Sequence, residues 1–379
     1  MATLLPTLNQ IRQRLFGQSF GWTGVEVGCH TINMAQVRRI EDRWVLAAVW
    51  SIKHPKTNSN DAANTSSSRN ENFGWLSKEA IFEHGLAPTL KSLEKLNSLF
   101  QGHYCAATLT DSMIDYRELD LPLIEPTESK AMVRSEIALD LECELEELSI
   151  DSWDLPQTNP RAGTACFGAV SIKRAAALMI ASDLLRAGFE CQTLDAIPCA
   201  MARSTAMIVS DESTSTLAID IGYGQATITL VKAGIPVLSR GVRSLGLVTL
   251  LDQIATSFDL SWADAQTLVF QSPNDFKAKP NGFASPLQQQ VIAFLHAIAN
   301  EINKTAQYVS RSHRSATPNQ VLLMGAGGEI PFLNQAIEER VGLPTQTWAI
   351  DLSENLFGSQ PIATYAIAAG LSALAWELM

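Results

Sequence analysis

Leu217-Ala218-Ile219-Asp220-Ile221-Gly222 is followed by Tyr223-Gly224-Gln225 and then by residues 226–234 (ATITLVKAG). The pattern is a strand with one acid among apolar residues, a glycine turn, and a second strand leading away. Residues 25–28 (VEVG), the loop Cys29-His30-Thr31, and residues 31–40 (TINMAQVRRI) repeat the unit with Glu26 in the acidic position. Such a repeat predicts a duplicated architecture. A strand that ends in a carboxylate and turns at glycine gathers backbone N–H groups around one small concavity, where glycine lets an anion approach closely. Asp220 would project toward that space and could hold a hydrated Mg²⁺. The same pattern also fits an ordinary hairpin whose acid is satisfied by loop N–H groups.

A third segment narrows the choice. Residues 321–324 (VLLM) read as a buried strand running into Gly325-Ala326-Gly327-Gly328. Ile330-Pro331 then opens a helix carrying Phe332, Leu333, Ile337 and Val341. Glycines at such a junction keep side chains away from a flat ligand near a helix N-terminus. A Rossmann fingerprint fails here because Ile330 stands at the third glycine position, and no G-x-x-x-x-G-K-[ST] occurs.

With 379 residues the chain exceeds what one compact core usually holds, so two intimately packed lobes are expected. Its 46% hydrophobic and 18% charged residues are those of a globular protein. A net charge of −11 repels phosphate backbones and argues against nucleic acid as a partner. Six scattered cysteines without a C-x-x-C pair argue against a zinc site or a disulfide framework and suit a reducing compartment. Pro6, Asn9, Arg12 and Arg14 interrupt the apolar N-terminal residues, so no signal peptide is expected. The apolar stretch Ile362–Trp376, about 15 residues, is too short to span a bilayer.

The organisation reads as four parts. Residues 1–20 hold an amphipathic helix with Leu4, Leu8, Ile11 and Leu15 on one face, packed on its own domain or docked on a partner or an anionic surface. Residues 21–110 form the first part of one lobe, with a polar stretch at 54–72 read as a mobile loop. Residues 111–190 form an α+β insert whose first helix carries Val133, Ile137, Leu141, Leu145 and Leu148. Residues 191–379 complete the crossing and the second lobe.

Two strand-turn-strand glycine loops followed by a strand-GxGG-helix, in this order, resemble the actin/Hsp70/sugar-kinase superfamily. The implied fold class is α/β, an actin-like (ribonuclease H-like) duplicated two-lobe fold with a small α+β insert. The element Val133-Arg134-Ser135-Glu136 after RELDLP (117–122), the crossing 187–197, the helix pair in 241–268 and residues 298–308 are similar to the PilM family of type IV pilus assembly. The resemblance implies ATP and Mg²⁺ as cofactors. Glu26, Gly28, Cys29, His30, Thr31 and Asn33 would form the first phosphate loop, and Asp220, Gly222, Tyr223, Gly224 and Gln225 the second. Gly325, Gly327 and Gly328, with Glu301 and Lys304, would lie against adenosine. It further implies a cytoplasmic scaffold, a ring-forming homo-oligomer beneath the inner membrane, used in twitching motility. Its partner would be the cytoplasmic N-terminal tail of a PilN-type membrane protein, so that membrane contact is indirect.

The family places Asp and later Lys in the first loop, where this chain has Glu26 and Asn33. Losing that lysine removes a charge-assisted phosphate contact worth about 1–3 kcal/mol, so binding with little or no hydrolysis is expected. A small-molecule kinase of the same superfamily would need a general base, for which Asp195 is the candidate, although a helix cap explains it equally well. An FtsA-like membrane-associated filament former uses an amphipathic C-terminal tail, which the chain is expected to lack because Trp376-Glu377-Leu378-Met379 ends it, although the N-terminal helix could substitute. His30 reads as a surface-loop residue, with phosphate contact the alternative. His54, His84, His103, His296 and His313 have no metal spacing and take no role.

Overall fold

The computed structural model describes residues 19–55, 85–90, 99–109, 113–122, 125–155, 163–271, 285–353, 356 and 361–377. The expected N-terminal helix and nearly all of the 54–72 loop lie outside the described residues. The first sheet starts with β1 (Ser19–Phe20), β2 (Thr23–Val27), β3 (Thr31–Ile40), β4 (Arg43–Lys53) and β5 (Tyr104–Thr108). The chain then builds a small sheet from β6 (Asp115–Pro122), β7 (Leu148–Asp154) and β8 (Thr164–Lys173), with helix α1 (Pro126–Asp140) after β6. Helix α2 (Arg174–Arg186) leads back to β9 (Glu190–Leu194), and α3 (Ile197–Ala206) crosses to the second lobe. That lobe contains β10 (Ser215–Ile221), β11 (Ala226–Lys232), β12 (Ile235–Val242), α4 (Leu247–Phe258), α5 (Trp262–Gln271) and α6 (Pro286–Ser312). It continues with β13 (Gln320–Met324), one helical turn at Gly325–Gly328, α7 (Leu333–Val341) and β14 (Thr345–Thr347). Finally β15 (Asp351–Leu352) pairs with β4, and α8 (Ala366–Ala373) packs between the lobes.

The duplication is explicit in the sheet orders. The first sheet runs β15-β4-β3-β2-β5-β9 and the second β12-β11-β10-β13-β14. In each, three strands pair antiparallel and two more continue parallel on the other side of the acid-bearing strand. Side-chain alternation explains the acids. Leu217, Ile219 and Ile221 enter a core shared with α4, α6 and α7, while Ala218 faces the interlobe layer and Asp220 shares its parity. Val25 and Val27 enter the first-lobe core with Ala176, Ile180 and Leu184 of α2. Gly24 and Glu26 therefore face the same interlobe layer from the other side. Each large aliphatic side chain buried this way contributes about 1.5–3 kcal/mol.

Small residues let that layer be thin. A Cβ on Gly24 would lie 1.8 Å from the Ala368 carbonyl oxygen, and one on Gly370 would lie 2.1 Å from that of Ala200. Helix α8 thus touches the first sheet and α3 at backbone distance. Ser372 Oγ accepts from Val37 N–H at 3.0 Å, and Trp348 Nε1–H donates to the Ser204 carbonyl at 2.9 Å. The apolar stretch at 362–376 is accordingly the buried seam between lobes.

The insert is an antiparallel sheet in the order β6-β8-β7, with Val133 and Ile137 of α1 packed on Leu121, Leu148 and Phe167. The expected apolar helix face breaks after Ile137, because the helix ends at Asp140 and Glu142 takes a left-handed φ of 51°. Leu145 falls in a short 3₁₀ turn and Leu148 in β7. The insert's strands and α1 lie within 115–173, whereas α2 belongs to the first-lobe core.

Candidate functional site

Glu26 and Asn33 stand opposite each other in the β2–β3 ladder. Asn33 Nδ2 donates to Glu26 Oε2 at 3.1 Å, and Ser51 Oγ donates to Asn33 Oδ1 at 2.8 Å. The residue in the family's lysine position is therefore buried and used to hold Glu26. Gly28 N–H closes the turn on the Thr31 carbonyl at 2.9 Å. His54, to which sequence gave no role, braces this loop from beneath. A carbonyl only accepts, so His54 Nε2–H donates to the Gly28 oxygen at 2.8 Å and Nδ1 pairs with Thr89 Oγ1 at 2.9 Å. The His54 N–H also donates to the His30 carbonyl at 3.0 Å. Burial lowers the His54 pKa and keeps the ring neutral. No local sequence signal marks this histidine, since both ring partners come from distant segments.

The second loop is tied to a helix. Gly222 N–H donates to the Gln225 carbonyl at 3.1 Å, while Leu247 and Val248 in the first turn of α4 donate to the carbonyls of Gly222 and Tyr223, each at 2.9 Å. Gln266 Nε2 of α5 donates to the Tyr223 hydroxyl at 3.0 Å. Asp220, at the end of β10, is buried.

The tips of the two loops touch. The His30 and Tyr223 rings lie 4.5 Å apart between centroids, and His30 is only 1% exposed. The surface position expected for His30 is thus corrected, because the second lobe covers the loop tip. Cys29 meets the Gly224 N–H, and its thiol is pushed up to about 12, first by burial and then by the carboxylates of Glu26 and Asp220. Both acids therefore face one space across the lobe junction.

The third segment closes on the second. Gly325 sits at φ +76°, and a Cβ there would lie 2.2 Å from Asp220 Oδ1. A Cβ on Gly327 would lie 2.3 Å from Ile221 Cγ2, whereas one on Gly328 would meet nothing closer than 3.4 Å. Two of the three glycines are thus required by packing against the second loop itself. Glu301 accepts from Arg240 Nη2 at 2.8 Å and from Lys304 Nζ at 2.6 Å, which lowers its pKa, with the Lys304 hydrogen bond the largest cause. Arg240 lies on β12, two strands from Asp220, so this ion-pair group sits toward the sheet edge. Among the described residues no hydrogen bond or ion pair joins Glu301 or Lys304 to the glycine segments. Asp195, the alternative general base, pairs with Arg203 Nη1 at 2.5 Å and accepts from the Ala196 N–H at 2.8 Å, a structural role at the start of α3.

Among the described residues no group of three or more His, Cys, Asp or Glu is placed to hold a metal ion, so an ion here would rely on water and ligand oxygens beside the loop acids. Residues 26–33, 220–225 and 325–328 contain two carboxylates and no lysine or arginine. A divalent ion would be attracted, and a polyphosphate would need that ion to offset the acids.

No protein-family model and no curated protein sequence matches the chain. Solved structures do. A chain of the PilM–PilN type IV pilus biogenesis complex superposes with a TM-score of 0.69, covering 94% of this chain and 98% of that one at 16% identity. The fold is the actin-like fold of PilM. The ethanolamine utilization protein EutJ from Carboxydothermus hydrogenoformans is more distant, with a TM-score of 0.48 and 11% identity over 98% of this chain and 91% of that one.

In this PilM fold a second concavity lies away from the loops. A groove of about 640 Å³ separates α2 and β9 from the insert strands β7 and β8. Ile150, Val170, Ile172, Leu178 and Leu194 give it an apolar lining, with Arg174 and Asp151 also on its wall. Leu178 is 66% exposed, and β7 and β9 are both edge strands. Among the described residues no helix is long and apolar enough to cross a membrane.

Proposed function

We propose that this chain is an actin-like scaffold of type IV pilus assembly, working in the cytoplasm at the inner membrane. It binds ATP with Mg²⁺ between its lobes and hydrolyses it little or not at all. Its groove takes the cytoplasmic N-terminal tail of a PilN-type membrane protein, so that membrane contact is indirect. The observation that carries this reading is the end-to-end likeness to a chain solved in a PilM–PilN complex. The loops support it chemically. Asp220 would hold the hydrated ion, Glu26 would add a second carboxylate, and the loop glycines would leave room for phosphate oxygens. When bound, the ion would screen the triphosphate from both acids. Nucleotide entry would require the Cys29–His30 tip to lift from Gly224 and Tyr223, which couples occupancy to the angle between lobes. Slow chemistry follows from the absence of a loop cation and from Glu26 being tethered by Asn33.

The groove suits an extended apolar peptide, because edge strands offer main-chain pairing and the apolar lining takes alternate side chains. The test is fluorescence anisotropy with a labelled peptide of the PilN-type tail from the same organism. Micromolar binding is expected, and Leu178→Asp should weaken it by about tenfold or more, which is about 1.4 kcal/mol. A folded wild-type protein that ignores the peptide at millimolar concentration would overturn the assignment.

A further inference from the structure

Cys105 and Cys191 are paired in register on the neighbouring parallel strands β5 and β9. Both belong to the first-lobe core, Cys105 at its centre and Cys191 packed against it. Neighbouring strands run about 4.8 Å apart, inside the range of about 4.4–6.8 Å between Cα atoms that a disulfide spans. The register shifts between Cys105 and Ala106, a local irregularity where the backbone has more latitude than in a regular ladder.

The two thiols differ in access and in chemistry. Cys105 is fully buried, while Cys191 lines the groove beside α2. They share a hydrogen bond, which is the leading cause of a lowered pKa for Cys191 and a raised one for Cys105. Cys191 Sγ also reaches the Thr193 carbonyl at 3.4 Å, so the thiol that borders the groove is held in place beside its buried partner. Elsewhere Cys29 and Cys166 are pushed up to about 12, burial being the main cause, and are poor nucleophiles.

We propose that Cys105 and Cys191 form a peroxide-oxidisable dithiol, a reversible modification site that opens onto the groove through Cys191. In the first step the Cys191 sulfur attacks one oxygen of hydrogen peroxide. The O–O bond breaks, a sulfenic acid forms, and the departing hydroxide takes up the thiol proton as water. In the second step the Cys105 sulfur attacks the Cys191 sulfur. The S–O bond breaks and a second water leaves with the Cys105 proton. Two thiols lose two electrons in all, and one peroxide becomes two waters. The bridge would tie edge strand β9 to β5 along the groove floor. This inference stands on the strand register and the groove, independently of any nucleotide or pilus role.

The test is stepwise oxidation of the full-length protein with hydrogen peroxide, followed by denaturation, thiol blocking and peptide mass mapping. Loss of two of the six thiols, one peptide linking Cys105 to Cys191, and recovery with dithiothreitol are expected. Cys191→Ser should keep its remaining thiols at the same dose. Cys105→Ser should stop at a Cys191 sulfenic acid that dimedone traps. Hydrogen exchange of β9 amides should slow in the oxidised wild type. Thiol loss mapped to other cysteines, or Cys191 over-oxidised in the wild type without a cross-link, would overturn the proposal.

Discussion

Asn33 and His54 share the task of fixing the first loop, one through the side chain of Glu26 and the other through the carbonyl of Gly28. His54→Leu would leave that buried carbonyl without its donor and should cost about 1–3 kcal/mol in urea unfolding at neutral pH. The pH dependence has a definite sign. Burial lowers the pKa of His54 below its ordinary 6.5, so in acid the unfolded chain takes up a proton that the native state refuses. Its contribution is therefore present above 6.5 and is lost as pH falls through the lower native value. Wild type should lose stability across that interval more steeply than His54→Leu. The acids and glycines of the loops were legible because strand parity and glycine turns are local signals. His54 was not, because its ring partners lie 26 and 35 residues away.

At the scale of elements, α8 and α3 are the parts that sequence described least well. Residues 362–376 show only apolarity, and a run of small residues explains itself only when both neighbours are known. Gly24 and Gly370 then become the points where the seam admits no side chain. Gly24→Ala should destabilise the protein by about 1–3 kcal/mol through forced separation of β2 and α8, read as a lower urea midpoint with an unchanged slope. Other elements were plain. Ser261 caps α5, with Asp264 N–H donating to Ser261 Oγ at 3.2 Å. The end of α1 was missed because nothing in the Leu141–Leu148 spacing announces a left-handed Glu142.

Across the whole molecule, the insert is joined to the second lobe as well as to the first. Glu118 on β6 accepts from the Ser239 N–H on β12, and burial pushes its carboxyl up to about 7. Because the native pKa lies above the ordinary 4.5, its contribution is full below 4.5 and is lost as pH rises through 7. Glu118→Gln should remove that dependence, so the wild-type melting temperature should fall relative to the variant's as pH rises from 4.5 to 7, and the gap should hold constant above 7. The duplicated order of the two sheets was visible in the repeated loops, and the insert in its strand–helix–strand run. What sequence did not disclose was that the two loop tips close on each other through Cys29 and His30. Calorimetry of ATP binding, with and without Mg²⁺, on wild type and Asp220→Ala tests most directly whether these loops form a nucleotide site. Micromolar, Mg²⁺-dependent binding that the variant loses is the predicted result, and a folded wild type that takes up no ATP at millimolar concentration would contradict it.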